Sequence, residues 1–537
     1  MRVLLVEPNY KNKYPPMGLM KISTYHKSMG DEVRFVKGYD HEVDDVTWDR
    51  IYITTLFTFD FNVVVETINH YKLLVNNIND LYVGGILASL MPDKIVAKTG
   101  INRTHILTGL FTDTSVVGDS NDINVDELPL DYDMLEQIDY KYPAGDNYFA
   151  YTTRGCPNHC SFCAVPILEP NFYVTNNIVE QIRKTEDKYG PKQHLLLLDN
   201  NVLNATDLKG IVDDLCKVGF AKGAKYVDPG VYNIVLMRYK RGERADFLDK
   251  KMASYLEEFK KRIKSSEVLE EFLKIVIGSE EAVDYAQYIL DHEEGLSPIV
   301  EKYRNKSRKA RYLDFNQGVD ARKINDENMG QLARLAIRPL RIAFDDIHLK
   351  EVYCNAVRTA HRHGIKEISN YILFNYKDKP EDLYERLRVN IELNKELGIN
   401  IFSFPMKYSP ISETDRSYIG SNWCKKSIRA ISAILQVTKG VVAAGSDFFY
   451  KAFGKNLDEY FELLAMPREL IMFRSHFEEN GTTAKWQRLY RKLTDDQKKH
   501  LMALVSLDVS EMKRTPWPDD LKDILEFYLI KYYGKEV

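Results

Sequence analysis

A chain of 537 residues, 44% apolar and 28% charged, has material for roughly two to four globular domains. Its net charge of −4 excludes a polycation, so any nucleic-acid contact must come from a local basic patch. The opening MRVLLVEPNY has no signal-peptide pattern and no apolar run reaches the ~20 residues of a membrane helix, so the expectation is a cytoplasmic protein without a membrane partner.

The first segment, residues 1–120, alternates strands and helices. Val3–Val6 is a short apolar run, and Gly18–Met29 is a helical stretch that stops at Gly30. Glu32–Val36, Asp49–Thr54, Leu81–Val83 and His105–Leu110 read as strands, with a helix over Phe61–Leu74. Such alternation predicts an α/β fold with a doubly wound parallel sheet. Residues 121–148 are polar, contain Pro129 and Pro143, and read as a linker.

A second alternating series spans 149–410. Its strand candidates are Phe149–Thr153, His194–Leu198, Arg311–Phe315, Leu340–Phe344, Ile368–Phe374 and Ile401–Met406, with helical patterns such as Pro380–Leu397 between them. These βα units fit a (β/α)6 partial barrel, which places function at the carboxyl ends of its strands. About 230–310 reads as a helical insertion, with Leu248, Met252, Tyr255, Leu256, Phe259 and Ile263 at helical spacing. Residues 411–537 read as a C-terminal helical domain.

The chain has six cysteines, too few for a disulfide framework at this length. Cys156, Cys160 and Cys163 fall together in TTRGCPNHCSFCAVP, directly after a strand candidate. A loop there can bring three thiolates to one iron–sulfur cluster, for which thiolates are suitable soft ligands. A cubane needs a fourth ligand, which the isolated Cys216, Cys354 or Cys424 could supply, or an iron left open to a cofactor. Zinc is the competing ion, although zinc ribbons show paired C-x2-C knuckles and no second pair follows.

The C-x3-C-x-aromatic-C spacing, with Phe162 as the aromatic, resembles the signature of the radical S-adenosylmethionine (SAM) superfamily. The resemblance implies a [4Fe-4S] cluster on the three cysteines and an open iron that chelates SAM. It further implies reductive cleavage of SAM, hydrogen abstraction from a substrate, and an electron donor such as flavodoxin or ferredoxin. In that frame LLLLDNNVLNA resembles the segment that meets the methionine amino group, through Asp199, Asn200 and Asn201. The stretch FNQGVDAR, with Asn316, Gln317, Asp320 and Arg322, would reach the ribose hydroxyls and the methionine carboxylate. Asp345 and Asp346 are further candidates, and Asn375, Tyr376 and Lys377 would form the adenine end.

The segment from EPNYKNKYPPMG to YVGGIL resembles the Rossmann-like, cobalamin-binding domain of some members of that superfamily. Gly84 and Gly85 would then let cobalamin approach, and methylation of an unactivated carbon would lead. The D-x-H-x2-G motif that supplies a histidine ligand is absent, so the resemblance implies cobalamin bound without one, as in some members, or a degenerate domain kept for docking. Two basic runs, Met237–Arg244 and Lys302–Arg311, bracket the insertion, with Tyr239 and Tyr303 interleaved. They are candidates for a nucleotide or RNA contact. The competing function is a non-catalytic iron–sulfur or zinc protein that binds nucleic acid there. The residues do not identify the substrate as small molecule, nucleotide, RNA or peptide.

Overall fold

A computed structural model describes residues 1–532 as a mixed α/β fold with parallel sheets. Strands β1 (Arg2–Glu7), β2 (Glu32–Lys37), β3 (Arg50–Thr55), β4 (Leu81–Gly85) and β5 (Ile106–Leu107) form one five-stranded sheet in the order β2-β1-β3-β4-β5. Every pairing in it is parallel. Val3 to Val6 are all fully buried because helices cover both faces. Val3 and Leu5 pack with Leu19, Met20 and Tyr25 of helix Met17–Ser28. Leu4 and Val6 pack with Val64 and Ile68 of helix Phe61–Tyr71 and with Ile95.

The segment expected to be a linker is packed onto this unit. Val125, Leu130, Tyr132 and Met134 are buried in the core that contains Val3 and Leu5. Asp131 accepts from the Ser23 hydroxyl at 2.6 Å and from Lys27 Nζ at 2.7 Å. Its apolar residues follow neither the strand nor the helix period, so nothing in their spacing distinguished a packed segment from a linker.

The next strand, β6 (Tyr148–Ala150), ends earlier than its apolar run suggests, and the chain breaks off into β7 (Thr153–Arg154). Strand β7 pairs antiparallel with β8 (Tyr173–Val174), and the cysteines lie on the loop between them. Strand β9 (Leu195–Leu197) follows. The small antiparallel pair β10 (Lys225–Tyr226) and β11 (Lys309–Ala310) closes the neck of the insertion. Then come β12 (Leu313–Phe315), β13 (Leu340–Arg341), β14 (Glu367–Phe374) and β15 (Asn400–Lys407). The longer strands make two three-stranded parallel sheets, β12-β9-β6 and β13-β14-β15. Parallel bridges at Leu313–Ile337 and Val319–Ile342 link the two, and one core runs through both.

Five helices between Gly230 and Tyr303 form the insertion. They enclose a core of their own, with Leu248, Met252, Leu256, Phe259 and Ile263 buried and Tyr255 half-buried. The helices after Lys425 share a core with Ile372 and Phe374 of β14 and with helix Pro380–Leu397. The fully buried Arg386 of that helix donates to the carbonyls of Asp345 (2.9 Å) and Leu373 (2.8 Å) and to Asp378 (2.9 Å). It thereby ties two strand ends to that helix. No described helix is long and apolar enough to cross a membrane.

Because the insertion has its own core, damage to it should stay local. Met252→Ala is expected to destabilise the 230–310 helices by about 2–5 kcal/mol. Amide exchange should rise there and remain slow in Leu195–Leu197 and Glu367–Phe374.

Candidate functional site

The cysteine loop begins where Arg154 is locked in place. Its buried guanidinium donates to Asp126 Oδ2 at 2.5 Å and to Glu169 Oε1 at 2.9 Å, with the Tyr151 ring 3.4 Å from its central carbon. Lys21 also reaches Asp126, at 2.8 Å. Burial pushes the Asp126 carboxyl up, but Lys21 and Arg154 outweigh it and hold the group below the usual carboxylate range. Glu169 Oε2 accepts from the Gly155 backbone N–H at 2.7 Å and from Asn200 Nδ2 at 2.9 Å. Gly155 has φ +69°, and a Cβ there would stand 2.1 Å from the Asn171 carbonyl oxygen. Only glycine fits this turn.

Asp199 anchors the loop from below. Its Oδ1 accepts from both hydroxyls of Thr152 (2.6 Å) and Thr153 (2.8 Å) and from both of their backbone N–H groups. Its Oδ2 is buried without a partner, and burial raises its pKa. Half of this carboxylate, expected to meet a ligand, therefore holds the strand end that leads into the cysteines.

Cys156, Cys160 and Cys163 are free and half-buried. The Cys163 N–H donates to the Cys160 carbonyl at 2.9 Å, which turns the loop. Two N–H donors point at sulfur: Asn201 Nδ2 at Cys156 and the Val165 backbone at Cys163, both at 3.5 Å. Burial raises the thiol pKa of Cys160 and Cys163, and Arg322 opposes it at Cys160. Asp345, itself raised by burial, acts on both thiols. Phe162 packs edge-on against Tyr376 with centroids 5.8 Å apart, and Ser161 bonds the Tyr376 hydroxyl at 2.6 Å. Asn158 donates to Asp320 at 3.1 Å, and Arg322 is paired with that same Asp320 at 2.7 Å.

The strand-end residues therefore divide. Asn200, Asn201, Asp320, Arg322 and Asp345 gather around the loop, with Asp346 exposed beside the last. Asn316 instead exchanges hydrogen bonds with the Tyr14 hydroxyl of the N-terminal unit, and Gln317 lines a cavity between the units. Asn375, expected at an adenine end, is fully engaged. Its Nδ2 donates to the Tyr408 and Tyr418 carbonyls, its Oδ1 accepts from Gly420, and its φ is +69°. Arg154, Glu169 and Asp126 were not singled out in the sequence. Arg154 adjoins the motif, but its partners lie 15 and 28 residues away, at spacings with no local signature.

Three half-buried thiols, two of them with an N–H donor on sulfur, suit an iron–sulfur cluster. Among the described residues, no three His, Cys, Asp or Glu side chains are grouped to hold one metal ion. A cubane spreads its irons over separate corners, so its ligands need not share one ion's coordination sphere. Cys424 bonds Ser427, and the charges that act on Cys216 and Cys354 come from outside the loop. An iron without a cysteine is the simpler fit.

Gly84 and Gly85 line the inter-unit cavity, of about 640 Å³. Gly85 has a different reason to be glycine, because at φ +102° a Cβ would stand 2.2 Å from the Thr55 carbonyl oxygen. No histidine is among the lining residues, so the cavity offers cobalt no imidazole. A cobalamin held here would have to bind without a histidine ligand. The basic runs are largely neutralised within the chain. Arg238 pairs with Asp133 and Glu243, Lys240 with Glu293, Arg304 and Lys306 with Glu301, and Arg311 with Glu186. No protein-family model matches the chain, and no curated protein matches it.

Two outcomes follow from this anchoring. Gly155→Ala should keep the circular dichroism of the fold yet lose most of the iron bound after anaerobic reconstitution. Asp126 stabilises the loop above the ordinary carboxylate pKa of about 3.9, and that stability is lost as pH falls through its depressed folded value. Protease resistance of residues 155–170 should therefore hold from neutral pH down to about pH 4 and be lost progressively below it. In Asp126→Asn the loop should be labile already at pH 7.

Proposed function

We propose that the chain is a radical SAM enzyme. The observation that carries this reading is the C-x3-C-x-Phe-C loop, with half-buried thiols on the excursion that follows parallel strand β6 and polar strand ends around it. Its barrel would be the pair of three-stranded parallel sheets, and the five-stranded sheet would be the Rossmann-like domain. Cys156, Cys160 and Cys163 would hold a [4Fe-4S] cluster. When bound, it would supply an electron for cleavage of SAM to methionine and a carbon radical that takes hydrogen from a substrate.

The chain's own side chains do the rest. Asp199 holds the entry to the loop at Thr152–Thr153, and Glu169, beyond the cysteines, ties the far side back to Gly155. The unpartnered Asp199 Oδ2 and Asn201 Oδ1 are acceptors suited to an ammonium. Arg322 can meet a carboxylate only by sharing its guanidinium with Asp320. Phe162, against Tyr376, shields the cluster side from water. An exposed edge of the loop at Pro157, His159 and Ser161 leaves a path for a flavodoxin- or ferredoxin-type donor. The nucleic-acid alternative has less support, since most cations of its two basic runs already face carboxylates.

Anaerobically purified protein should carry about four irons and matching sulfide and convert SAM to 5′-deoxyadenosine under reduction. Cys160→Ala should abolish both. Intact SAM beside stoichiometric zinc, or cleavage that survives in Cys160→Ala, would overturn the reading.

A further inference from the structure

Past β15 the chain crosses to the N-terminal unit as a strap, residues 408–420, which is neither helix nor strand. One side chain fixes both of its feet. The buried Asn375 donates through Nδ2 to the Tyr408 carbonyl at 3.0 Å and to the Tyr418 carbonyl at 3.1 Å, and its Oδ1 accepts from the Gly420 N–H at 2.8 Å. A Cβ on Gly420 would stand 2.8 Å from the Asn375 and Tyr376 carbonyl oxygens, so glycine is needed for this approach. Ends held together around an irregular span make an Ω-loop.

The span between the feet is held differently. Ser412, Glu413, Asp415, Arg416 and Ser417 are exposed. The Glu413 N–H bonds Pro410, the Ser417 N–H bonds Asp415, and Lys407 reaches the Arg416 carbonyl, all within the strap or its front foot. Two contacts tie the span to the N-terminal unit. Lys94, on helix Pro92–Thr99, donates to the Ser412 carbonyl at 2.7 Å. The Arg416 guanidinium carbon lies 3.7 Å from the centre of the Phe59 ring, and Phe59 stacks on Phe57 just beyond β3. Both ties are at the surface, where a cation–π contact is weak.

These contacts complete a ring that includes the cysteine loop. Tyr408 packs on Tyr376 with centroids 4.7 Å apart, and Tyr376 packs on Phe162. Beyond Cys163 the short helix Val165–Leu168 contacts helix Ile86–Leu90 of the N-terminal unit. That unit leads back through Phe57 and Phe59 to Arg416. Arg154 and Glu169 brace the cysteine side of the ring, whereas two surface contacts brace the span. We propose that the strap is a gate, whose span 409–417 swings on feet fixed by Asn375 and whose latches, Lys94 to Ser412 and Phe59 to Arg416, set how often the cysteine loop is open to solvent. The gate controls access to three thiols whatever they hold, so it does not rest on the radical SAM reading. It makes the N-terminal unit a controller of a loop that the second unit carries.

The test labels the metal-free full chain with fluorescein-5-maleimide, a bulky thiol reagent, and reads each cysteine by peptide mass spectrometry. Arg416→Ala should speed labelling of Cys156, Cys160 and Cys163 about two- to fivefold, the share of one exposed cation–π contact. Lys94→Ala should act to a similar degree, and the double variant about tenfold, because both latches close the same opening. Cys216, whose charged neighbours are Asp213 and Arg334, should label at the wild-type rate throughout. Amide exchange should rise across 409–417 and stay slow at Tyr408 and Gly420, whose N–H groups are held by Phe374 and Asn375. Loop cysteines that label at the wild-type rate in the double variant would overturn the gate. So would an equal acceleration at Cys216, which would mean general loosening.

Discussion

The Arg154 guanidinium, buried between Asp126 and Glu169, is the contact on which the rest of the arrangement depends. Asp126 belongs to the segment packed on the N-terminal sheet, Glu169 follows the cysteine loop, and Arg154 precedes it. One side chain thus fixes the loop to its own return strand and to the other half of the molecule. Breaking a buried pair strands a charge at about 3–5 kcal/mol, so these elements hold together or loosen together. Glu169 extends the network to Gly155 and Asn200, so the backbone entering the cysteines is held by the same charges that join the units.

This explains why the strand-end residues serve two ends. Asp199 and Asn375 look like ligand contacts by residue type and position. Yet one half of Asp199 holds Thr152 and Thr153, and all of Asn375 ties down the 408–420 segment. Atoms that hold a loop cannot also be free to bind. The atoms left over, Asp199 Oδ2, Asn201 Oδ1 and Glu7 Oε1, are buried acceptors without donors. The proposed chemistry places SAM at the first two.

Periodic features were legible in the chain. The helix expected over Pro380–Leu397 has those bounds, because Pro380 opens it and Gly398 closes it in a left-handed turn. The Leu248–Phe259 stripe forms the insertion core for the same local reason. Of the candidate site, the cysteine cluster was legible because its spacing is local. Its supports were not, because Asp126 and Glu169 reach Arg154 through folding rather than through spacing. The packed 121–148 segment was missed likewise, since Val125, Tyr132 and Met134 bury themselves without a period.

The sequence by itself determined the alternation that makes parallel sheets, the helical insertion, and the loop on which three cysteines cluster. Each follows from period or spacing over a few residues, where backbone geometry dictates which side chains share a face. Only the tertiary structure decided which polar groups are used up and which remain free. It showed that Gly85 is demanded by the Thr55 backbone and that Arg322 already has Asp320. It also left one oxygen of Glu7 buried beside the Lys37 ion pair. Hydrogen-bond satisfaction belongs to the assembled interior, where partners far apart in the chain meet, and no local pattern encodes it.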